Sequence, residues 1–314
     1  MNNLEKAVII LNPAAAGGHA AIQFKRIKDK IDFIFPKIPI RISEKAGHAR
    51  EIARKLAHDG CEQIIGVGGD GTFNEIVNGL FENRKPINPE LILGTLPIGT
   101  GSDFIRSLGI PNKLGEALSF MQRRKTAMVD VGLAIVQDFQ GAPKEHLFLN
   151  ILSCGLSAEV AMRVNRTSNF GGPFFRYLRS SIISIAKYKN DRLKIRYSAG
   201  DTHYEGPFTL LAIANGAYFG GGMYVAPQAH LDDGLFQVVL VKKMPKASLL
   251  GKFHSIYKGD HLNIPEILTC QNSKIDVSSM GGDIFVEADG EPIGSLPLQV
   301  SCLPKTLKII VGNL

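Results

Sequence analysis

The segment from Ile64 to Glu75 constrains the fold of this chain more than any other. Its apolar start, Ile64 to Val67, has the composition of a buried β-strand, and an apolar run at helical spacing begins at Phe73. A glycine-rich turn lies between them, and Thr72 and Glu75 have the spacing of a capping box. The pattern predicts a strand, a loop and a helix N-terminus, where backbone N–H groups and the helix dipole favour a phosphate group.

The glycines of this turn also match the dinucleotide-binding pattern G-x-G-x-x-G, at Gly66, Gly68 and Gly71. That pattern normally occupies the first strand–helix turn of its fold, whereas this turn is about the third. Asp70 would also bring a carboxylate against a bare pyrophosphate, which is tolerable when Mg²⁺ lies between them. We therefore interpret the turn as a metal–nucleotide loop. The alternative is a plain tight turn in which Asp70 caps a helix.

Length and composition indicate a globular protein of two ordinary domains, with 314 residues, 45% hydrophobic and 21% charged. No apolar run approaches the ~20 residues that a bilayer span needs, and the first residues lack the anatomy of a signal peptide. The four cysteines are far apart, which favours core residues of a reduced, cytoplasmic protein over disulfides or zinc ligands. The net charge of +7 is compatible with nucleic acid, anionic lipid, a phosphorylated substrate or a merely solubilising surface.

Strand and helix patterns alternate over residues 1–131, which predicts a mostly parallel α/β sheet. Short strand patterns separated by turn signals follow over residues 132–304, and they predict an antiparallel β-sandwich. The expected fold class is therefore α/β with two domains.

Four motifs of the first half together resemble the diacylglycerol kinase catalytic domain family. The string Gly68-Gly69-Asp70-Gly71-Thr72 looks like the family's signature, which NAD kinases and 6-phosphofructokinases share more distantly. The small-residue loop 12–18 resembles the family's first nucleotide-contacting loop. Ser43 with residues 47–49 resembles an element beside the adenine, although an ordinary turn is an equal alternative. Residues 97–104 resemble the family's Pro-x-Gly-Thr-x-Asn-Asp-Phe loop, with Ser102 at the usual Asn position.

Two motifs of the second half extend the resemblance. Residues 226–236 contain Asp-Asp-Gly, which by itself marks a turn, and the whole string is similar to the family's structural magnesium loop. Residues 285–292 contain Asp289-Gly290-Glu291, which by itself is typical of a hairpin turn with solvated carboxylates. In the family, the acidic residue of this element accepts the proton of the lipid hydroxyl, and we assign Glu291 as the base, with Asp289 close by.

The resemblance implies roles for further residues of this chain, and an active site between two lobes. The residues expected to hold the nucleotide are Asn12, Pro13, Ala14, Ala15, Ala16, Ser43, Gly68, Gly69, Asp70, Gly71, Thr72, Asn74, Glu75 and Thr100. The carboxylates expected to order Mg²⁺ and water are Asp70, Asp103 and Asp130. The structural Mg²⁺ is expected on the Asp233 carboxylate and on the backbone carbonyls of His230 and Leu235. The first domain is expected to be NAD kinase-like, with residues 305–314 returning to it as a last strand.

Residues Phe170 to Lys189 form an amphipathic helical pattern in the second half. Its functional interpretation is a helix that meets lipid at an anionic membrane surface. The interpretation that we favour from sequence is an ordinary helix that covers the sandwich.

We therefore predict an ATP- and Mg²⁺-dependent lipid kinase of diacylglycerol or a related lipid, which is cytoplasmic or peripheral at a membrane. The expected partners are the lipid substrate and the membrane surface, without nucleic acid, and the sequence carries no prediction of an oligomeric state. The alternatives are a NAD kinase-like enzyme acting on a soluble hydroxyl, and a catalytically silent nucleotide or lipid sensor. The absence of G-x-x-x-x-G-K-[ST] excludes Walker-type phosphate binding.

Overall fold

The computed structural model describes residues 7–98, 103–111, 113–123, 125–166, 179–181, 183–185, 188, 192–197 and 203–312. The chain divides into two compact units. Unit 1 comprises Met1–Val129 and Lys305–Leu314, and unit 2 comprises Asp130–Pro304.

Unit 1 is built on a parallel sheet. Its strands are β1 (Ala7–Leu11), β2 (Ile40–Ile42), β3 (Gln63–Gly68) and β6 (Ile92–Pro97), paired in the order β2-β1-β3-β6. Strand β16 (Glu291–Ile310) ends in this unit, where Lys308 and Ile309 pair in parallel with β6. A short hairpin, β4 (Phe81–Glu82) and β5 (Lys85–Pro86), stands apart from this sheet. Every residue of β1 and β3 is buried, as is typical of a parallel sheet covered on both faces.

Helices follow the strands of unit 1 along the chain. They are a 3-10 helix (Ala15–Gly18), α1 (His19–Ile34), α2 (His48–His58), α3 (Asp70–Leu80), α4 (Asp103–Ser107) and α5 (Leu114–Arg123). The strand–helix alternation predicted from sequence is therefore confirmed in the first half of the chain.

Glycines set the closeness with which α3 packs. A Cβ at Gly66 would lie 2.7 Å from the ring of Phe73, and a Cβ at Gly68 would lie 2.4 Å from the Thr72 hydroxyl. Near the C-terminal end of α3, a Cβ at Gly79 would overlap the carbonyl oxygen of Arg50 in α2. Gly66 and Gly68 thus serve helix–strand packing, and Gly79 serves helix–helix packing.

The capping box predicted at Thr72 and Glu75 is wrong. Helix α3 begins at Asp70, and its N-cap residue, Gly69, makes no side-chain cap. The Thr72 hydroxyl accepts a hydrogen bond from Asn12 instead. The Glu75 carboxylate accepts hydrogen bonds from the N–H groups of Gly47 and Ala49, so it caps α2 rather than α3.

Unit 2 is rich in antiparallel strands. Its strands are β7 (Thr126–Gln137, which begins in unit 1), β8 (Pro143–Phe148), β9 (Ile151–Gly155), β10 (Arg192–Tyr197), β11 (His203–Ala214), β12 (Phe236–Lys242), β13 (Ile267–Asn272), β14 (Lys274–Ser279), β15 (Phe285–Ala288) and most of β16. The pairing order is β13-β12-β11-β10-β14-β16; β15 pairs with β16 and β9, β9 with β11, and β7 with β8 and β16. The helices are α6 (Leu156–Arg166), α7 (Lys246–Lys252) and 3-10 turns at Phe253–Tyr257 and Asp260–Asn263.

Alternating apolar residues of these strands form the core of unit 2, in which the rings of Phe148 and Phe236 stack with centroids 5.5 Å apart. The predicted fold class, with a parallel α/β domain and an antiparallel β-sandwich, is confirmed. The helix predicted over Phe170–Lys189 lies mainly outside the described residues. Within it, residues 179–181 and 183–185 are helical.

In the described part of the chain, no helix is both long and apolar enough to cross a bilayer.

The packing of α3 against α2 yields a stability prediction. An exposed Gly→Ala change in a helix normally stabilises it by ~1 kcal/mol. Gly79→Ala should instead destabilise unit 1 by about 1–3 kcal/mol, because the new methyl group would overlap the Arg50 carbonyl. Chemical denaturation of the parent and the variant measures the difference. Gly115→Ala in α5 is the matched control, since a Cβ there meets nothing within 4 Å. A Gly79→Ala protein as stable as the Gly115→Ala protein would contradict the packing.

Candidate functional site

The loops of unit 1 converge because its strands are parallel. The carboxyl ends of β1, β2, β3 and β6 lie at one edge of the sheet, so the loops that leave these strands meet there. Two hydrogen bonds join these loops. The Asn12 side-chain amide donates to the Thr72 hydroxyl at 3.0 Å, and the Asp103 N–H donates to an Asp70 carboxylate oxygen at 3.1 Å. Four of the predicted nucleotide and metal residues are thereby connected pairwise.

The first loop is ordered by its own asparagine. The Asn12 N–H donates to the Val67 carbonyl at 3.0 Å, and the Asn12 side-chain oxygen accepts the Ala14 N–H at 3.1 Å. Pro13 has no N–H to satisfy, and Ala15 and Ala16 begin the 3-10 helix that leads into α1. The loop is held in shape by Asn12 without any ligand.

The N-terminus of α3 lies at this edge. A Cβ at Gly69 would meet nothing within 4 Å, in contrast to the tight contacts at Gly66 and Gly68. The open space therefore lies at Gly69, immediately before the helix N-terminus at Asp70 and Gly71. This is where an anion gains from the N–H groups and from the helix dipole.

The remaining predicted nucleotide residues have structural contacts. Asn74 is buried, and its side-chain oxygen accepts the Asn78 amide at 3.1 Å. The N–H of Ser43 donates to the Leu11 carbonyl at 2.9 Å, which ties the loop after β2 to the end of β1. The Glu75 carboxylate bonds at the α2 N-terminus, as described above. Thr100 lies outside the described residues, as does Ser102.

In unit 2, the strands β15 and β16 form a hairpin around Asp289 and Gly290. Ala288 pairs with Glu291, so the loop has two residues, and both have positive φ, +51° and +87°. This conformation suits Asp-Gly. The prediction of a hairpin turn is correct, but the Asp289 carboxylate is not merely solvated. It accepts the N–H groups of Leu149, Asn150 and Ile151 at 2.9–3.1 Å.

Asp289 therefore anchors the hairpin to the segment that precedes β9. The same segment contacts the loop after β11, because the Asn150 amide donates to the Tyr218 carbonyl and its carbonyl accepts the Asn215 N–H. With its oxygens occupied by three donors, Asp289 is placed as an anchor. Glu291, the first residue of β16, is exposed and stands next to this anchored turn.

Glu287 is a buried acid that the sequence interpretation did not single out. Its side chain is 4% exposed, one carboxyl oxygen is hydrogen-bonded to the Ser153 hydroxyl, and the other accepts the Gly290 N–H at 2.9 Å. Burial raises the pKa of Glu287 to about 7, against the opposing effect of these two hydrogen bonds, and the negative charges of Asp289 and Glu291 add to the rise.

Asp130 lies against the predicted magnesium loop. Asp130 is fully buried, its N–H donates to the Leu231 carbonyl at 2.6 Å, and its carboxylate accepts the Gly234 N–H at 2.6 Å. The pKa of Cys302 is raised to about 12, first by burial and then by the charges of Asp130 and Asp233. Two carboxylates thus act on one thiol beside this loop.

The loop fits Mg²⁺ in the chemistry of its donors, since carboxylate and carbonyl oxygens are the ligands that Mg²⁺ prefers. Asp233 itself is exposed, and one of its oxygens accepts the Leu235 N–H at 2.9 Å. Among the described residues, no group of three or more His, Cys, Asp or Glu side chains could hold a metal ion. A magnesium ion here would therefore need backbone carbonyls and water as ligands beside a carboxylate. The predicted set is of this kind, with the Asp233 carboxylate and the carbonyls of His230 and Leu235.

The sequence interpretation missed Glu287 and Ser153. In sequence, Glu287 stands two residues before an Asp-Gly turn, where a glutamate is usually solvated. A weak signal was available: its neighbours Val286 and Ala288 are apolar, as in a strand that is covered on its other face. The Ser153 partner of Glu287 lies in β9, which the sequence does not place beside β15.

Two protein-family models match most of this chain. Residues 6–134 match the diacylglycerol kinase catalytic domain, and residues 150–311 match the YegS C-terminal NAD kinase beta sandwich-like domain. A curated diacylglycerol kinase of Staphylococcus aureus (strain bovine RF122 / ET3-1) is 29% identical, over 98% of this chain and 93% of the relative.

Solved structures show the same fold. The crystal structure of a candidate diacylglycerol kinase from Bacillus anthracis str. Sterne superposes with a TM-score of 0.76 at 26% identity, covering 98% of this chain and 97% of that one. Yeast NADH kinase, at a TM-score of 0.56 and 11% identity over 98% and 83% of the two chains, shares the fold alone. Because the two family models cover most of the sequence, this chain belongs to the diacylglycerol kinase family.

Proposed function

We propose that this protein is a lipid kinase, which transfers the γ-phosphoryl group of ATP to the hydroxyl of diacylglycerol or a related lipid. The observation that carries the proposal is the pair of hydrogen bonds that join Asn12 to Thr72 and Asp103 to Asp70, at the carboxyl edge of a parallel sheet. Family membership supports a kinase, and the named relatives support a lipid acceptor.

In this proposal, ATP occupies the edge of unit 1, with its phosphates at the α3 N-terminus beside the open space at Gly69. Phosphoryl transfer requires positioning and charge stabilisation more than covalent chemistry from the protein. Mg²⁺, when bound, would neutralise charge that develops on the phosphoryl oxygens. Asp70 would act on that metal–nucleotide complex while its second oxygen keeps the Asp103 N–H in place.

In unit 2, Glu291 is proposed to take the proton of the acceptor hydroxyl. Asp289 is less suited to this role, because three backbone N–H groups already bond to its carboxylate. The loop 230–235 with Asp130 is proposed to hold a structural Mg²⁺, which would act on stability rather than on the transfer.

A labelled-ATP assay against a panel of lipids, with NAD included, tests the proposal as a whole. Phosphorylation of a lipid hydroxyl is expected. Phosphorylation of NAD alone would overturn the lipid acceptor, and no phosphorylation with measurable ATP binding would favour a nucleotide sensor.

We also propose that the protein works at an anionic membrane surface. Helix α1 places Ile22, Arg26 and Phe33 at i, i+4 and i+11, on one exposed face, with Lys25 and Lys30 beside them. Ile22 is 53% exposed and Phe33 is 86% exposed. The exposed Asp29 lies on the same face, where the three cations outnumber it. Exposed apolar side chains on a net positive face suit a surface with anionic headgroups and an apolar interior.

The role of Asp70 yields the first activity prediction. Asp70→Asn keeps an oxygen that can accept the Asp103 N–H, so the fold should persist. Turnover should fall by about 10²–10³, which corresponds to the loss of a charge-stabilising group. Steady-state kinetics with saturating Mg²⁺ measure this, with the exposed Asp59→Asn as the matched control. Parental turnover of Asp70→Asn would rule out the assigned role.

The hairpin carboxylates yield a second activity prediction. Glu291→Gln should reduce turnover by about 10²–10⁴. Because Glu291 is exposed, the free energy of unfolding of the Glu291→Gln protein should differ from that of the parent by less than about 0.5 kcal/mol. Asp289→Asn should instead lower stability by about 1–3 kcal/mol, because an amide donor would face backbone donors.

Kinetics and denaturation of both variants separate the two roles. If Glu291→Gln retained turnover while Asp289→Asn lost it without unfolding, the base would be Asp289.

The membrane proposal predicts a salt-dependent association. Binding to phosphatidylglycerol vesicles should weaken as salt shortens the Debye length, and phosphatidylcholine vesicles should bind less. Phe33→Ser should reduce vesicle binding in a sedimentation assay, whereas Phe139→Ser, at an exposed phenylalanine of unit 2, should not. Equal loss in both variants would show that α1 is not the contacting face.

A further inference from the structure

The side chain of Glu287 joins three elements of unit 2. Glu287 lies in β15, directly opposite Ser153 on the antiparallel strand β9. One carboxyl oxygen is bonded to the Ser153 hydroxyl, and the other accepts the Gly290 N–H of the hairpin turn. The Ser153 hydroxyl also lies 2.7 Å from the Ser157 hydroxyl in the first turn of α6.

The turn that precedes Glu291 is thus held from two sides. Asp289 accepts the three N–H groups at 149–151, and the buried Glu287 carboxyl accepts the N–H of Gly290. Gly290 is the residue immediately before Glu291. A loss of the Glu287 bond would leave one side of the turn unrestrained while the Asp289 anchor remained.

The protonation of Glu287 is compatible with this network. As a neutral acid, Glu287 donates to Ser153, Ser153 donates to Ser157, and the Gly290 N–H still has a carboxyl oxygen to bond. The hydrogen bonds then run in one direction, from the Glu287 carboxyl group to the Ser153 hydroxyl and from there to the Ser157 hydroxyl. The pKa of Glu287 is raised to about 7, so the protonated form predominates below that pH.

We propose that Glu287 is a positioning residue of the transfer reaction, which fixes the Asp289–Gly290 turn through the Gly290 N–H and so sets the orientation of Glu291. This inference rests on the proposed function, because it takes Glu291 as the base. Glu287 itself does not touch the substrate in this account, since its side chain is buried.

The charged groups around Glu287 bear on any measurement against pH. The Asp289 and Glu291 carboxylates raise its pKa from the hairpin. From β9 and α6, the network presents the hydroxyls of Ser153 and Ser157. Helix α6 also carries Glu159 and Arg163, and the Arg163 side chain donates to the Ser184 hydroxyl.

The direction of the pH effect follows from the raised pKa. Above 4.5 the unfolded chain releases the Glu287 proton, whereas the folded chain retains it up to about 7. The contribution of Glu287 to stability therefore falls as pH rises through this window and is constant above it. The contribution of Glu287 to the pH dependence of stability should disappear in a variant that cannot ionise at this position.

Four variants test the proposal. Glu287→Gln can still accept the Gly290 N–H and donate to Ser153, so it should keep kcat within about threefold while removing the pH slope of the melting temperature. Glu287→Met removes the Gly290 bond and should lower kcat by about tenfold or more, with KM for ATP unchanged. The double variant Glu287→Met with Ser153→Ala replaces both partners by apolar groups, which protects folding if the single variant unfolds. Ser153→Ala alone leaves the Gly290 bond and should keep parental kcat.

Amide hydrogen exchange at Gly290 supplies a readout that does not depend on activity. The Gly290 N–H should exchange faster in Glu287→Met and in the double variant, and at the parental rate in Glu287→Gln. If the parent phosphorylated no lipid, the proposed function would fail while this exchange measurement still decided the positioning of the turn. Parental kcat in the double variant, or equal losses in the Gln and Met variants, would overturn the proposal.

Discussion

The candidate nucleotide site at the carboxyl edge of the unit 1 sheet depends on the close approach of α3 to β3. Two glycines allow it, because a methyl group at Gly66 would overlap Phe73 and one at Gly68 would overlap Thr72. This packing puts Thr72 within reach of the Asn12 amide and starts the helix at Asp70. The same contact that buries apolar surface therefore aims the helix N-terminus at the edge where the loops meet.

The structure gives the glycines of the Gly66–Gly71 turn a different role from the one that the sequence predicts. From sequence, glycines in a strand–helix turn suggest that a ligand approaches the backbone closely. Here, Gly66 and Gly68 are required by helix packing, and open space occurs only at Gly69 among these three. The G-x-G-x-x-G match is therefore largely a packing feature. In the proposed function, the nucleotide phosphates lie at Gly69 and at the N-terminus of α3.

Much of the fold was predictable, because parallel and antiparallel sheets leave different sequence patterns. Buried strands such as Ala7–Leu11 alternate with helices in the first half, and turn signals such as Asp289-Gly290 punctuate the second. Residue pairs distant in sequence were not predictable. The sequence pattern predicts that Glu75 caps its own helix, α3. Its carboxylate instead accepts N–H groups at the start of α2, and only the tertiary structure brings Glu75 close to α2. Glu287 was missed for the same reason, since its partner Ser153 in the paired strand β9 is far away in sequence.

The β15–β16 hairpin contains three carboxyl groups, Glu287, Asp289 and Glu291, and each has a different environment. Glu287 is buried, and burial disfavours its charged form and raises its pKa to about 7. Asp289 is bonded to three backbone donors, which commits its oxygens to the fold. Glu291 is exposed at the start of β16, where a substrate group could reach it. Three carboxylates within five residues would repel one another if all were charged and solvated alike. Burial favours the protonated form of Glu287, and three N–H groups bond to Asp289, so the surroundings of these two acids limit that repulsion.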